Sequence, residues 1–410
     1  MARLKGFQKL TNIDTALSSF LEQLKPERLD SERIPIHAAQ GRVTAEETRA
    51  QYHLPPFDRS AVDGYALRAK DTFGVTAFNP KILKLTENKV RENEAREIWT
   101  GNPVPEGADA IVMLEYTKKL EDKIEVGTAV TPGENVSKRG EDVTKGDVAI
   151  KAQTRLNPHH LGLLAALSET HVDVVRKPKV AILSTGNELV ELGQKLEHGQ
   201  IVETNQLIFS SMCRELGAEP RELGITKDNL KEITAKIKEG LDSADAIITT
   251  GGTSVGYPDL VPTAINQLGK PGVIVHGVAM RPGMPTALAI LKCKPIFILS
   301  GNPVAATIGF EVFVRPLLLR LQGIKKEPRP AIQAKLTRRV AAALGRRVFL
   351  RVRVFERDGS YFAEPVRVKG SGVLTTMTKA NGYVIIPENR EGLEDGETVM
   401  VHLFYSIEGE

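Results

Sequence analysis

The apolar positions of the chain change spacing several times, and each change predicts a different kind of element. In residues 12–25, Ile13, Ala16, Leu17, Phe20, Leu21 and Leu24 recur at helical intervals. Asn12 or Asp14 can cap that helix and Pro26 closes it. From about 51 to 150, short apolar runs (KILKL, AIVML, KIEV, DVAI) sit between turns such as NPVPEGAD and TPGENV, which predicts a β-rich module. A second helix is expected over 157–169, with Asn157 as cap and Pro158 at its first position. Between 178 and 322, KVAILST, ADAIITT and PIFILS are continuous apolar runs, the pattern of strands buried on both faces. The helical stretches NQLIFSSMCRELG and DNLKEITAKIKEGLD lie between them, so the region predicts a parallel α/β sheet with right-handed crossovers. Residues 305–321 predict a packed helix, kinked or broken at Pro316. GIKKEPRPAI (323–332) reads as a linker, and 333–410 alternates as strands with DG and NG turns, predicting a small β-barrel or sandwich.

Composition narrows the class. The chain has 410 residues, 41% hydrophobic and 26% charged, which excludes a disordered tail protein and suggests about three domains. A net charge of +4 is too small to mark a nucleic-acid binder, so any anion site must be local. The two cysteines, Cys213 and Cys293, form no metal-ligand pattern and point to a reducing compartment. The basic start MARLKGFQKL lacks the apolar core of a signal peptide, and no apolar run reaches the ~20 residues of a membrane span. A cytoplasmic protein that binds neither membrane nor nucleic acid is expected.

Three predicted strands each end in a glycine turn: LSTGNEL (183–189), TTGGTSVGYPD (249–259) and LSGNPVAA (299–306). Glycines at the carboxyl ends of such strands let backbone N–H groups approach an anion. None of the three is a Walker A or GxGxxG loop, and each alone also reads as a structural turn. The segment AMRPGMPTA sets Arg281 beside a rigid turn, suited either to oxyanion binding or to a solvated position. Glu188, Asp228 and Asp259 recur in the same loops and could hold Mg²⁺, although Asp228 in TKDN also reads as a helix cap. PPFDRSAVDGYAL (55–67) concentrates Asp58, Arg59, Ser60 and Asp63 within an apolar run, more than a turn requires. Residues 335–353 carry seven basic side chains and no acid, and strand alternation places Arg347, Arg351 and Arg353 on one face.

Taken in order, PPFDRSAVDGYAL, WTGNPVPEGADAIV, RGEDV, ILSTGNELV, TTGGTSVGYPD, AMRPGMPTA and LSGNPVAATI resemble the molybdopterin molybdenumtransferases, the MoeA and gephyrin E-domain family. The resemblance spans nearly the whole chain. It implies a homodimer with four domains per subunit: a segmented helical domain (1–50 plus 144–177), an inserted β-rich module (51–143), a MogA-like parallel α/β molybdopterin-binding domain (178–324) and a C-terminal β-barrel-like domain (325–410). It also implies an active site between subunits and a reaction in which molybdate or tungstate enters adenylylated molybdopterin with Mg²⁺-dependent release of AMP. A molybdopterin adenylyltransferase would supply the substrate, and apo-molybdoenzymes or apo-tungstoenzymes would receive the product.

Carried over by motif, Asp63 and Thr100 would come from the facing subunit, with Asp142 a further catalytic candidate or a stabiliser of the domain junction. Glu188, Asp228 and Asp259 would serve Mg²⁺, with Glu188 and Asp259 also catalytic. Gly251, Gly252, Ser254 and Gly256 would cradle phosphate, while Ser300, Gly301, Asn302 and Pro303 would shape the molybdopterin edge. Arg281, Pro285, Arg351 and Ser371 match the family's oxyanion positions. The chain departs from the family pattern at Met284, where the family usually has lysine, at Ser300, where it has proline, and at Ala305, where it has serine. Charge-assisted hydrogen bonds contribute ~1.5–3 kcal/mol each, so losing the lysine and the serine could lower oxyanion affinity by roughly a hundredfold. Either Arg281 and the Arg346–Arg353 group compensate, or the oxyanion differs, or the step is impaired and the chain is a molybdopterin carrier or assembly scaffold with a degenerate oxyanion site.

Overall fold

The computed structural model describes residues 10–252, 259–366 and 372–407. The chain divides into two compact units, Arg33–Val174 and a second made of Met1–Glu32 with Val175–Glu410. Helix α1 (Ile13–Leu24) belongs to the second. Asn12 caps it, its side-chain oxygen accepting from the amides of Asp14 and Thr15, and Lys25 ends it in the left-handed conformation. Ile13, Ala16, Phe20 and Leu24 are buried, as the helical spacing requires.

The Arg33–Val174 unit is built on a six-stranded sheet. Its strands are β1 (Gly64–Leu67), β2 (Lys81–Leu85), β3 (Glu94–Ile98), β4 (Ala110–Met113), β5 (Thr117–Leu120) and β6 (Lys123–Val126), in the order β4-β1-β3-β2-β6-β5. Tyr65, Leu67, Leu83, Val112 and Ile124 pack on one face, while Ala66, Ile98 and Ile111 pack on the other. Helix α2 (Pro158–Ala166) has a complete capping box: Asn157 accepts from the His160 amide, and the His160 ring accepts from the Asn157 amide.

In the second unit, β7 (Lys179–Thr185), β8 (Glu219–Thr226), β9 (Ala246–Thr250), β10 (Pro271–His276), β12 (Ala287–Leu291) and β13 (Lys294–Leu299) form a sheet in the order β8-β7-β9-β13-β12-β10. The short β11 (Met280–Arg281) leaves this sheet for the barrel described below. Neighbouring residues of one strand bury into opposite cores. Val180, Ile182 and Phe297 meet α1, α3 (Asn205–Glu215) and the helices after β13. Ala181, Leu183 and Ile296 meet α4 (Leu230–Ser243) and α5 (Leu260–Leu268). That two-sided burial explains the continuous apolar runs.

Four neighbouring strands are parallel, as expected, but β12 runs antiparallel to both of its neighbours, β13 and the edge strand β10. The cause is the link from β12 to β13. Lys292 and Cys293, both at positive φ, form a two-residue hairpin turn too short for a parallel crossover. The stretch around Pro316 breaks as predicted. Helix α6 (Pro303–Gly309) widens to a π turn over Phe310–Val314 before α7 (Arg315–Leu321) resumes, with Pro316 in its first turn, where its missing N–H costs little.

The C-terminal strands β14 (Ala331–Leu336), β15 (Arg347–Arg357), β16 (Ser360–Pro365), β17 (Gly382–Ile386) and β18 (Thr398–Leu403) close into a five-stranded barrel around Leu336, Leu350, Val352, Ala363 and Val401. Phe349 and Tyr383 turn away from that core and pack into the α/β core with Phe310 and Leu318.

Candidate functional site

Strand β11 decides where the site forms. It pairs in parallel with β15, Met280 opposite Arg347 and Arg281 opposite Val348, and the Arg347 amide donates to Ala279 O at 2.9 Å. The AMRPGMP segment and the longest barrel strand thereby wall a cavity of about 540 Å³, within the usual range for small-molecule sites. Arg281, Arg346 and Arg351 line it together with Met284, Pro285, Ser300, Asn302 and Ala305, and among the described residues no carboxylate lines it. Arg351 is only 3% exposed, and burial draws its pKa down. An anion beside it would offset that desolvation. Four sequence-predicted residues from three distant motifs (Arg281, Pro285, Ser300 and Arg351) and the predicted Asn302 meet here.

Alternation holds, since Val348, Leu350, Val352 and Val354 fill the barrel core and leave Arg347, Arg351 and Arg353 on the outer face, but the surroundings of the three differ. Arg351 lines the cavity, but Arg347 is held by Asp14 and Glu388, and the exposed Arg353 lies across the ladder from Glu364 beside a separate recess containing Lys379. Arg346, one residue before the strand, lines the cavity. The sequence placed it only within a basic group, because alternation counted from Arg347 put it on the opposite face.

The glycine turns converge by close backbone contact. Gly251 has φ +85°, and a Cβ there would lie 2.2 Å from Thr185 O; at Gly252, with φ +65°, one would lie 2.7 Å from Val261 Cγ2. Only glycine fits either position. A Cβ on Gly301 would lie 3.6 Å from Gly251 Cα, so the turns after β9 and β13 abut. Gly301 O accepts from the Asn205 side chain at 2.9 Å, and the Asn302 amide donates to Ser300 Oγ at 3.2 Å. Asn302 precedes α6 and Pro303 opens it. Gly372 also approaches Asn302, with 3.2 Å from its Cβ position to Oδ1. Ser254, Gly256 and Ser371 lie outside the described residues.

The predicted acids have distinct surroundings. Glu188 is exposed just past the end of β7, its carboxylate folded against Gly186. Asp228 is exposed, and its amide donates to Asn187 Oδ1 at 3.1 Å; the cap of α4 is Asn229, whose side chain accepts from Lys231 and Glu232 amides. Asp259 precedes α5 with its Oδ2 3.3 Å from His276 Nε2. Burial raises its pKa, with His276 pulling the other way. Its Oδ1 is buried without a hydrogen bond to any described residue. Among the described residues, no three His, Cys, Asp or Glu side chains gather at metal-binding distance.

Two more predicted residues meet in the Arg33–Val174 unit. Asp63 Oδ1 accepts from both the amide and the hydroxyl of Thr100, each at 2.7 Å, and these bonds hold its pKa below the ordinary value. Asp142, also exposed, donates its amide to Leu54 O at 3.0 Å.

Comparison with known proteins agrees with this arrangement. Residues 11–168 match the MoeA N-terminal region (domain I and II), 181–320 a probable molybdopterin binding domain, and 333–404 the MoeA C-terminal region (domain IV). The chain is 35% identical to the molybdopterin molybdenumtransferase of Bacillus subtilis, over 93% of this chain and 91% of that one. It is 37% identical to a putative molybdopterin biosynthesis protein of Methanocaldococcus jannaschii, over 98% and 100%. The crystal structure of the molybdopterin biosynthesis MoeA protein from Pyrococcus horikoshii OT3 superposes with a TM-score of 0.83 at 33% identity, covering 97% of this chain and all of that one. Among the described residues, no helix is long and apolar enough to cross a membrane. The motif order, the three matched regions and the full-length likeness together place this chain in the MoeA family, the molybdopterin molybdenumtransferases of molybdenum cofactor biosynthesis.

Proposed function

We propose that the chain inserts molybdate, or tungstate, into adenylylated molybdopterin with Mg²⁺-dependent release of AMP. The observation that carries this reading is the cavity that, among the described residues, holds three guanidinium groups and no carboxylate, set beside glycine turns that only glycine can form. The reaction joins two anions, so the protein must supply positive charge and backbone donors in a fixed geometry. In this reading Arg281 and Arg351 hold the oxyanion with Ser300 and Asn302 as polar partners, and Pro285 keeps the turn rigid. Gly251 and Gly252, with Ser254 and Gly256, admit the phosphates, and Gly301 and Pro303 shape the edge where the pterin rests.

Mg²⁺ binds through one or two carboxylates plus substrate phosphates, so a three-carboxylate cluster is not required. The orphaned Asp259 Oδ1 and the exposed Glu188 carboxylate fit such a role, with Asp228 on the same loop system. When bound, Mg²⁺ would neutralise the phosphoanhydride charge. Asp63, fixed as an ionised acceptor by Thr100, and Asp142 would act from the facing subunit of a homodimer. A cytoplasmic protein of four domains is the arrangement proposed, with one change to the expected boundaries: α1, expected in the segmented helical domain, packs its Ile13, Ala16 and Phe20 into the α/β core. An adenylyltransferase precedes the step and apo-molybdoenzymes or apo-tungstoenzymes follow it.

Met284 and Ala305, which line the same cavity in place of a cation and a hydroxyl, favour a second reading as a non-catalytic carrier. A single-turnover assay separates the two. Protein loaded with adenylylated molybdopterin receives Mg²⁺ and molybdate or tungstate, and AMP is followed. Oxyanion-dependent AMP release is expected; tight pterin binding with no AMP under either ion would leave the carrier.

A further inference from the structure

The basic side chains near the start of β15 have different electrostatic fates. Arg347 donates to both carboxylate oxygens of Asp14, at 3.0 and 2.7 Å, and lies 3.0 Å from Glu388 Oε1. Asn12, the cap of α1, donates to the same Glu388 oxygen at 3.1 Å. Two carboxylates therefore absorb the charge of Arg347. Arg353 sits across the ladder from Glu364 and belongs to another recess. Arg346 stands between these extremes. It lines the three-arginine cavity, is exposed, and makes no hydrogen bond or ion pair with any described residue. Separate backbone hydrogen bonds fix the chain on either side of Arg346: the Arg347 amide binds Ala279 O, and the Gly345 amide binds Glu388 O at 2.8 Å. A long cationic side chain thus leaves a backbone pinned on both sides and borders a cavity with no acid among its described lining residues.

We infer that Arg346 is the third oxyanion-binding cation of the cavity, acting with Arg281 and Arg351 and standing in for the cation that Met284 does not provide. The inference rests on the oxyanion reading of the cavity proposed above. It makes Arg346 a determinant of affinity for tetrahedral dianions, since a single guanidinium fork can pair with two oxygens of such an ion.

Isothermal titration of the full chain with sodium molybdate and with sodium tungstate tests it, using Arg346→Gln, Arg281→Gln, Arg353→Gln and the double variant Arg346→Gln with Met284→Lys. Arg346→Gln is expected to weaken both ions roughly tenfold and to flatten the salt dependence of binding. Arg353→Gln should bind as the wild type does, and Met284→Lys should recover most of the loss by returning a cation to the same space. Wild-type affinity in Arg346→Gln alongside lost binding in Arg281→Gln would overturn the role of Arg346 and leave the oxyanion cavity standing. An equal loss in Arg353→Gln would overturn it too, by tracing the effect to net charge. Wild-type protein that binds neither ion would overturn the oxyanion reading of the cavity, and this inference with it.

Discussion

Glu311 and Asp14 each pair with arginine, but they differ in burial, and that difference should dominate what their loss costs. Glu311 lies in the π turn with its side chain 4% exposed, bonded through both oxygens to Arg329 and 4.0 Å from Arg315. Burial and then the neighbouring Arg329 draw Arg315 down, whereas the bond to Glu311 leaves Arg329 raised despite its own burial. Glu311→Gln keeps the shape and removes the buried charge that balances two partly buried guanidinium groups, which should cost about 3 kcal/mol. Asp14 is 72% exposed, so Asp14→Asn should cost about 0–1 kcal/mol even though it breaks a bidentate pair.

Urea unfolding provides the assay and an internal control. Trp99, the single tryptophan, lies in the Arg33–Val174 unit, so its fluorescence follows that unit, whereas far-ultraviolet circular dichroism reports both. Glu311→Gln should lower the midpoint of the circular-dichroism transition belonging to the second unit by roughly 1 M or more and leave the Trp99 transition in place. Tyr383 gives a second readout. Its phenol is pushed up to about 12, first by burial and then by Glu311, so the variant should ionise at lower pH in a tyrosine-resolved NMR titration. A Glu311→Gln midpoint no lower than that of Asp14→Asn would refute the burial argument.

Gly251→Ala should abolish phosphate-side binding and destabilise the α/β core, because its Cβ would meet Thr185 O at 2.2 Å; pterin-nucleotide titration beside a thermal melt checks both. Asp245 accepts from Arg176 at 2.8 Å through each oxygen and from the Lys179 amide, and these bonds outweigh burial to lower its pKa. Its contribution is complete above the unfolded carboxylate value of about 3.9 and is lost as pH falls through the lower folded value. Wild type should therefore lose stability relative to Asp245→Asn in that acid window, as seen in melts from pH 6 to pH 2. Burial pushes the Cys213 thiol up to about 12, whereas Cys293 is exposed, so Ellman's reagent should label one thiol in the native protein and two in urea.

Local chemistry was legible in the sequence wherever one segment determined it. Asn12 and Asn157 cap the helices they precede, and the apolar runs of β7, β9 and β13 are buried on both faces. Lys292–Cys293 hid its hairpin because neither residue is a usual choice at positive φ, so the antiparallel strands went unforeseen. In TKDN the cap is Asn229, one residue beyond Asp228, a shift that composition cannot resolve. The three-arginine cavity was only half legible. Arg281 and Arg351 stood out in their motifs, but the pairing of β11 with β15 is a long-range contact two residues wide. No local pattern announces such a pairing, and without it Arg346 could not be separated from Arg347 or Arg353.

The same narrow pairing bears on how the protein assembles. Met280–Arg281 lies within the α/β portion of the chain yet takes its ladder partner from the barrel, and Phe349 and Tyr383 carry the barrel's apolar contact into the α/β core. The guanidinium groups therefore come together only after both cores have condensed and docked. Bringing three like charges into one cavity opposes that last step, and an arriving dianion relieves the repulsion. If a dianion binds there as proposed, mass action favours the docked form, so added molybdate should raise the stability of the barrel against the α/β core.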